Sequence, residues 1–336
     1  MRYLLRECIR DKKTSYTPIW FMRQAGRYLP EFREIRKVNP NFIKLCLSPD
    51  LVNEITLQPL KRFDIDAAII FSDILMIPYG LGQKVEFKKG IGPILGEVNL
   101  DKIISVNSAN FIEKLLPVYK GIEKVKQNLK EKELIGFVGA PWTLLLYMLN
   151  KESPKNNFNF NLINKDKILT NKLLKKIEEM ICLHIDKQIE SGADIIQIFD
   201  SWAGLLPQKE LSNYCYEPIS RIVDHIKAKN IPVICFPKGI GKNYIDFCSV
   251  VKPDCISIDY EVDPKWIKEK LNGMPIQGGL DPKILLGEKE EVKKNTEKYL
   301  NIFNDYPYIF NLGHGVLPEI KPETIEYVIQ TIRNNK

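Results

Sequence analysis

The chain has 336 residues, 44% of them hydrophobic, and seven cysteines. This length allows a large buried core, and an odd cysteine count without a CxxC pair fits neither a disulfide framework nor a zinc ribbon. The formal net charge of +7 excludes neither an acidic small molecule nor a nucleic acid as ligand.

Short apolar runs typical of strands recur along the chain and alternate with helical patterns. One such pattern covers 168–189, where Leu173, Ile177 and Ile181 recur four residues apart. The alternation predicts a parallel α/β sheet, and eight runs favour a single (β/α)8 TIM-type barrel over residues 1–336. An open doubly wound sheet is the alternative, but the glycine turn it normally has after its first strand is missing. The runs are Pro18–Met22, Asp66–Phe71, Leu134–Val138, Asp194–Phe199, Pro232–Phe236, Cys255–Ile258, Met274–Gln277 and Tyr308–Leu312.

Three segments interrupt this pattern. Gly80–Val98 contains five glycines, which predicts a hairpin or rim loop. Leu134–Asn150 carries no charge, but its glycines and proline favour a buried strand, turn and helix over a membrane span. Asn150–Asn171 is rich in Asn and Lys, which predicts a mobile loop between a strand and a helix. The N-terminus lacks the apolar region of a secretory signal, and together with the cysteine usage this predicts a cytoplasmic protein.

Polar residues follow each predicted strand, at the end where a parallel barrel keeps its chemistry. This recurrence predicts an active-site cleft at the C-terminal ends of the strands. In chain order the residues are Arg23 and Arg27, Ser72 and Asp73, Ala140–Trp142, Asp200–Trp202, Lys238, Asp259 and Tyr260, Gly278–Asp281, and Gly313–Gly315.

Arginine is concentrated near the N-terminus, since seven of the ten arginines fall within the first 36 residues. Arg23 and Arg27 flank Gly26 at a strand end, where two guanidinium groups can each hold a carboxylate through paired hydrogen bonds. A solvated basic loop, or structural ion pairs with nearby glutamates, is the alternative. We favour a functional role for Arg23 and Arg27 and that structural alternative for Arg33 and Arg36. Arg2, Arg6 and Arg10 have no explanation at this level.

The other candidate residues are ambiguous when taken singly. Asp73 and Asp200 each follow an apolar strand, where an Asp is either a helix cap or a site carboxylate. His314 lies between two glycines at the last strand end and is the histidine we interpret as functional. The sequence contains no metal-binding motif, and Lys238 is only a weak candidate for a pyridoxal phosphate lysine.

Two long segments of the chain resemble those of a known protein family. MRQAGRYLPEFR, which begins at Met22, and GFVGAPWTLLLYML over Gly136–Leu149 resemble the two signature segments of uroporphyrinogen decarboxylases. LQPLKRFDIDAAIIFSDIL, IIQIFDSWAG, QGGLDP and NLGHGVLPEI follow the family in the same order. The chain departs from the family pattern at Tyr260, where Trp is frequent, and at Cys235–Gly239, which is less rich in glycine.

The resemblance implies a function, a set of site residues and an assembly. It implies removal of the four acetate carboxyl groups of uroporphyrinogen as CO2, giving coproporphyrinogen for haem synthesis, without a cofactor or metal. It implies a small-molecule substrate, no nucleic-acid or membrane partner, and a homodimer. It makes Asp73, Arg23 and Arg27 the catalytic residues. The substrate contacts it implies are Arg23, Gln24, Ala25, Gly26, Arg27, Asp73, Tyr147, Ser201 and His314.

Two other functions compete with this interpretation. A zinc-dependent corrinoid or thiol methyltransferase needs thiolate and imidazole ligands at strand ends, and Val233 stands where a His would have to precede Cys235. A non-catalytic tetrapyrrole-binding or nucleic-acid-binding protein could use the positive charge, but the lysines are too evenly spread for a polybasic tract.

Overall fold

The computed structural model describes residues 3–88, 90–129, 131–154, 163 and 166–335. Its centre is a curled sheet of seven parallel strands in the order β1-β4-β5-β6-β7-β8-β9, and β2 and β3 form a separate antiparallel hairpin. The strands are β1 Ala67–Ile69, β2 Val85–Lys88, β3 Gly92–Leu95, β4 Glu133–Gly139, β5 Ile195–Asp200, β6 Val233–Pro237, β7 Cys255–Ile258, β8 Ile276–Gly278 and β9 Tyr308–Ile309. The parallel order and intervening helices confirm the predicted barrel class, and the hairpin confirms the prediction for Gly80–Val98.

Helices connect successive strands and cover the outside of the sheet. The predicted helix at 168–189 is confirmed as Lys167–Glu190, with its predicted apolar face buried. The α-helices of the described residues are α1 Leu4–Arg10, α2 Pro30–Val38, α3 Phe42–Cys46, α4 Pro49–Arg62, α5 Met76–Gly80, α6 Leu100–Ser105, α7 Ser108–Asn128, α8 Pro141–Asn150, α9 Lys167–Glu190, α10 Glu217–Lys227, α11 Tyr244–Val251, α12 Pro264–Lys270, α13 Lys289–Ile302 and α14 Pro322–Asn334. Short 3-10 turns lie at Ala203–Leu205, Gln208–Glu210, Gly241–Asn243 and Pro282–Leu286, and a π-helical turn at Ser212–Tyr216 precedes α10.

The first predicted strand, Pro18–Met22, forms only an isolated parallel bridge from Ile19 to Phe310. The segment nevertheless joins the two edges of the sheet, because the Phe310 N–H donates to Pro18 O and the Asp66 N–H donates to Ile19 O, both at 2.8 Å. Prediction of a regular strand here was therefore wrong. Side chains take three of its backbone N–H groups: Ile19 donates to Asp66 Oδ2, Phe21 to Gln24 Oε1 and Met22 to Asn311 Oδ1.

Helix α1 closes the N-terminal end of the barrel. Its Leu5, Cys8 and Ile9 join the apolar cluster that fills the barrel interior. The buried Glu133 carboxylate accepts the Leu5 N–H at 2.8 Å and the Arg6 Nε at 2.9 Å. Because Glu133 begins β4, this helix lies at the end of the barrel opposite the predicted cleft.

The arginines near the N-terminus therefore divide between the two ends of the barrel. Arg6 pairs with Glu133, and Arg10 donates to the Asn230 carbonyl at 2.5 Å before β6 begins. Arg33 donates to the Arg27 carbonyl at 3.2 Å, and Arg36 donates to the Asn39 carbonyl at 2.7 Å. The two glutamates expected as ion-pair partners bind other cations instead, Glu34 with Lys37 and Glu31 with Arg62, so Arg33 and Arg36 bond to backbone carbonyls rather than forming the predicted ion pairs. Arg2 lies outside the described residues.

Two further predictions concern the loops and membranes. The predicted loop Asn150–Asn171 falls largely outside the described residues, between the end of α8 and the start of α9. Among the helices of the described residues, none is both long and apolar enough to cross a membrane.

Candidate active site

The Arg23 segment lies at the C-terminal end of the barrel and has an unusual backbone. Arg23 has a φ of 64°, in the left-handed region that a non-glycine residue enters at a cost of about 1–3 kcal/mol. Protein atoms surround its side chain, yet the residue remains exposed to solvent, which is the combination expected in a cleft. Burial lowers the pKa of the guanidinium, whereas Asp73 and Tyr147 raise it. Arg27 is also exposed, and its charge acts on Arg23.

A tight turn requires Gly26, and the neighbouring Gln24 anchors the segment. A Cβ at Gly26 would lie 2.9 Å from Arg23 O, so the turn between the two arginines leaves no room for a larger residue. Gln24 is 1% exposed, and its side-chain amide donates to Ala67 O and accepts the Phe21 N–H, each at 3.0 Å. Its side chain therefore fastens the loop to the barrel wall. Ala25 is half-buried against the outer core.

Asp73 follows β1, where the sequence left a helix cap and a site carboxylate as alternatives. Its Oδ1 accepts the Leu75 N–H at 2.8 Å, which caps the turn before α5. Among the described residues no donor reaches Oδ2, and the residue is partly exposed. Burial raises the pKa of this carboxyl to about 6, against the Leu75 hydrogen bond and the charge of Arg23, which lower it. One carboxylate oxygen thus remains available to the cleft.

Tyr147 on α8 and the Ser201–Trp202 segment after β5 form one wall. The Tyr147 and Trp202 rings lie 6.3 Å apart at an interplanar angle of 67°. Burial raises the pKa of Tyr147, and the charge of Asp73 raises it further, so the phenol stays protonated near neutral pH. Ser201 is half-buried next to Trp202.

Asp200, the other ambiguous carboxylate, is fully buried behind that wall. Its Oδ1 accepts the Thr143 hydroxyl at 2.6 Å, and Thr143 Oγ1 in turn accepts the Trp202 N–H at 3.2 Å. Burial raises the pKa of Asp200 to about 6, while its hydrogen bonds with Thr143 lower it. Asp200 therefore supports the wall from inside the protein, whereas Asp73 faces the cleft.

His314 and Lys238 belong to the same cleft although their strands are not neighbours. Lys238 follows β6 and His314 follows β9, with β7 and β8 between them in the sheet. Burial, and then the charges of Arg23 and Lys238, lower the pKa of His314 to about 3. The charge of Lys238 therefore acts on His314 although two strands lie between their own. Lys238, which the sequence offered only as a weak cofactor lysine, is thus a third cation of the cleft.

The floor beneath these polar groups is apolar. Four side chains of the barrel-interior cluster, or packed against it, keep some exposure to solvent. The exposed fraction is 6% for Met22 and 8% for Ile69 and Phe199, and it is larger for Phe137. The Phe137 and Phe199 rings pack edge to face with centroids 5.7 Å apart. Among the described residues, the strand ends therefore combine an apolar base with the charged side chains of Arg23, Arg27, Lys238 and Asp73.

Comparison with known proteins decides the family. The family model described as uroporphyrinogen decarboxylase (URO-D) matches residues 2–335. A protein of Rickettsia bellii named uroporphyrinogen decarboxylase is 44% identical over 321 residues, covering 94% of each chain. A protein of Rickettsia felis with the same name is 41% identical over 328 residues, covering 96% of this chain and 94% of its own. This chain belongs to the uroporphyrinogen decarboxylase family. It is a decarboxylase, a carboxy-lyase of porphyrin and haem biosynthesis.

Structural neighbours agree with the fold but not with the chemistry. A methyltransferase from Methanosarcina mazei superposes with a TM-score of 0.78 at 13% identity, covering 99% of both chains. A B12-independent methionine synthase from Shewanella superposes with a TM-score of 0.51 at 12% identity, covering 85% of both. At such identities the likeness concerns the barrel alone. Within the part of the chain that the structure describes, no group of three or more His, Cys, Asp or Glu could hold a metal ion.

The family assignment leaves the individual roles of the predicted site residues as predictions. The structure brings Arg23, Arg27, Asp73, Tyr147 and His314 into electrostatic contact and places Ser201 on the adjoining wall. Asn311 could not be selected from the sequence, because its contact with the Arg23 segment is a bond to Met22, 289 residues away. In the sequence, Asn311 was marked only by its position in the NLGHG segment.

Proposed function

We propose that the chain removes the four acetate carboxyl groups of uroporphyrinogen III as CO2, giving coproporphyrinogen III, in the cleft at the C-terminal end of the barrel. The observation that carries the assignment of this site is the charge arrangement. One partly desolvated carboxylate, Asp73, interacts with the charge of Arg23, and Arg23 in turn interacts with Arg27 and His314. A ligand that suits it carries several carboxylates around an apolar, hydrogen-bond-donating centre, and uroporphyrinogen has this character.

Decarboxylation needs an electron sink, which the pyrrole ring of the substrate can supply. A proton added to the ring α-carbon, next to the carbon that bears the acetate arm, makes the ring a cationic iminium. The carbon–carbon bond to the carboxylate then breaks, CO2 leaves, and the bonding pair neutralises the ring while forming an exocyclic methylene. A second proton, added to that methylene, and loss of the first proton from the ring leave a methyl group, so each arm consumes one proton overall.

Asp73 suits the centre of this reaction. Its free oxygen can accept hydrogen bonds from pyrrole N–H groups and stabilise positive charge on the protonated ring. A charge pair at 4 Å contributes about 4 kcal/mol at an effective dielectric constant near 20. If that interaction forms only in the transition state, it corresponds to about three powers of ten in rate.

The cations suit the periphery of the substrate. Uroporphyrinogen carries eight carboxylates that repel one another, and Arg23 and Arg27 can each clamp one through paired hydrogen bonds. Lys238 adds a compact positive charge on the far side of the mouth. Tyr147 and Ser201 add neutral donors. Together these groups offset the repulsion and fix which acetate arm lies over the carboxylate.

His314 acts in this arrangement as a neutral imidazole. With its pKa lowered to about 3, the ring carries no stored proton near neutral pH. In this form the His314 imidazole can hydrogen-bond a carboxylate or pyrrole group of the substrate.

The test of this function is turnover by the purified chain under anaerobic conditions. We expect conversion of uroporphyrinogen III to coproporphyrinogen III in the presence of EDTA and without added cofactor. Activity that chelation abolishes, or the absence of turnover, would refute the proposal. Replacement Asp73→Asn should lower kcat by up to about 1,000-fold while the circular dichroism spectrum stays unchanged.

A matched control separates loss of the site carboxylate from loss of a cap. Asp263 accepts the Lys265 N–H at 3.0 Å, much as Asp73 accepts the Leu75 N–H, but it is exposed at the start of α12. Asp263→Asn should keep kcat within about threefold. Equal losses in both variants would mean that Asp73 acts only as a cap.

The same proposal covers the setting of the enzyme. It places the reaction in a single domain over residues 1–336 of a cytoplasmic homodimer, which family resemblance supports. All seven cysteines are free, as suits a reducing compartment. Sedimentation should give about twice the 38.9 kDa chain mass, and a monomer would refute the dimer.

A further inference from the structure

Arg23 needs an external constraint to stay where the structure places it. Its φ of 64° is unfavourable for a residue with a Cβ, and nothing in its own side chain restrains that backbone. Such a conformation persists only where surrounding contacts enforce it. Here these contacts are made by the residues on either side of Arg23, Met22 and Gln24.

The preceding residue is held by the segment that follows β9. The Met22 N–H donates to Asn311 Oδ1 at 3.0 Å, and Met22 O accepts the Val316 N–H at 2.9 Å. Asn311 is fully buried, and the same oxygen also accepts the Leu312 N–H at 2.8 Å. The Asn311 side chain thus joins the residue before Arg23 to the last strand of the barrel.

The following residue is held by a different amide. Gln24 bonds through its side chain to the Phe21 N–H and to Ala67 O, and its own N–H donates to Phe21 O at 2.9 Å. Arg23 therefore lies between two buried amide side chains, of Asn311 and Gln24, that fix the backbone before and after it.

The Arg23 side chain rests on the same segment that Asn311 begins. A Cβ built at Gly315 would lie 2.3 Å from Arg23 Cδ and 2.9 Å from Arg23 Nε, so the arginine stem crosses directly over this glycine. His314, the neighbour of Gly315, acts electrostatically with Arg23. The segment Asn311–Val316 thus sets the Arg23 backbone, supports its side chain and carries His314.

From this geometry we propose that Asn311 is a positioning residue of the decarboxylase. It holds Met22 so that Arg23 keeps its left-handed backbone and presents its guanidinium to a substrate carboxylate and to Asp73. The inference rests on the role proposed above for Arg23. Asn311 itself touches no substrate in this arrangement, because its acceptor oxygen is used by two backbone N–H groups.

The experiment compares two isosteric replacements. Asn311→Leu removes the acceptor oxygen, whereas Asn311→Asp keeps an acceptor for both N–H groups. Asn311→Asp also removes no existing hydrogen bond, because Asn311 Nδ2 has no partner within the described residues. We expect Asn311→Leu to lower kcat/KM by about 10- to 100-fold and Asn311→Asp to retain it within about threefold. Equal activity in the two variants would overturn the proposal.

Two readouts distinguish positioning from simple destabilisation. Displacement of Arg23 should move the acid limb of the kcat/KM profile of Asn311→Leu to higher pH, because the arginine charge no longer favours ionised Asp73. Thr296→Val, which removes the buried bond from Thr296 Oγ1 to Val292 O on α13, should lower the melting temperature and leave that limb in place. If Asn311→Leu does not fold, Asn311→Ala provides the same comparison without the bulk of a leucine side chain.

The Arg23→Gln background separates this inference from the function on which it rests. If Asn311 acts through Arg23, then Asn311→Leu should cause almost no further loss in that background. Wild-type activity of Arg23→Gln alone would refute the proposed role of Arg23. An impaired Arg23→Gln enzyme, combined with a fully active Asn311→Leu enzyme, would overturn only the positioning role of Asn311.

Discussion

Replacement Gly315→Ala tests how closely the Arg23 side chain must be placed. The added Cβ would lie 2.3 Å from Arg23 Cδ and 2.7 Å from Arg23 Cγ. Non-bonded carbon atoms rest at about 3.5 Å or more, so the stem of Arg23 must retreat by about 1.2 Å at least. Gly315 does not use a left-handed backbone, so the alanine adds no backbone strain.

The expected result is a catalytic defect without a folding defect. A misplacement of about 1 Å in a substrate clamp lowers activity by roughly 100-fold. We therefore expect kcat/KM of Gly315→Ala to fall by about that factor in an anaerobic assay that separates the porphyrin products by chromatography. The urea midpoint should change little, because the flexible end of Arg23 can yield.

Two controls make the result decisive. Gly287→Ala is the matched glycine, because its Cβ would meet first the flexible end of Glu291, at 2.8 Å from Oε2, and then Ile284 O at 3.3 Å, on the exposed surface. This variant should remain fully active. In the Arg23→Gln background, Gly315→Ala should add almost no loss. A normal kcat/KM for Gly315→Ala, or an equal loss with and without Arg23, would refute the reasoning.

Four further predictions follow from charges whose surroundings the structure defines. Catalysis is assigned to ionised Asp73, whose pKa is raised to about 6, so kcat/KM should fall as the pH drops below about 6. Arg23→Gln should move this acid limb up by about one pH unit, because the arginine charge lowers the pKa of Asp73. An unmoved limb would contradict the assignment. Asp200, with its pKa raised from 3.8 to about 6, stabilises the folded state when protonated, and this contribution to the free energy of unfolding is lost as the pH rises from about 4 to 6. In urea unfolding, the stability of Asp200→Asn relative to wild type should therefore increase by up to about 3 kcal/mol between pH 4 and 7.5. A stability difference that does not depend on pH would contradict this. Lys238→Met should raise KM about 10-fold with kcat nearly unchanged, as measured by steady-state kinetics, because it removes one carboxylate contact. Arg6→Met should lower the free energy of unfolding by about 3 kcal/mol, because the buried Glu133 loses its ion-pair partner, and should leave kcat and KM unaltered because this pair lies at the opposite end of the barrel.

The sequence was sufficient for the architecture because the barrel depends on local, periodic patterns. Seven of the eight predicted runs overlap the regular parallel strands, and the helix at 168–189 follows directly from apolar residues four apart. The residues at strand ends were also predictable, since parallel strands bring their C-terminal ends to one edge. The two family signatures added the chemistry.

Other features depended on partners distant in sequence, and only the tertiary structure decided them. Asp73 and Asp200 have the same local pattern, but Thr143 encloses Asp200 while one oxygen of Asp73 stays open. The run at Pro18–Met22 has the composition of a strand, yet side chains as far away as Asn311 take its N–H groups.

The arginines show the same division. Their concentration in the first 36 residues was visible in the sequence, which assigned Arg23 and Arg27 to a site but left Arg6 and Arg10 unexplained. The fold sends Arg6 and Arg10 to the closed end of the barrel and Arg23 and Arg27 to the open end. Residues close in the chain are separated by the length of the barrel because the segment from Pro18 to Met22 runs along it. Charge composition fixes how many cations are present, but the path of the backbone fixes which of them meet a substrate.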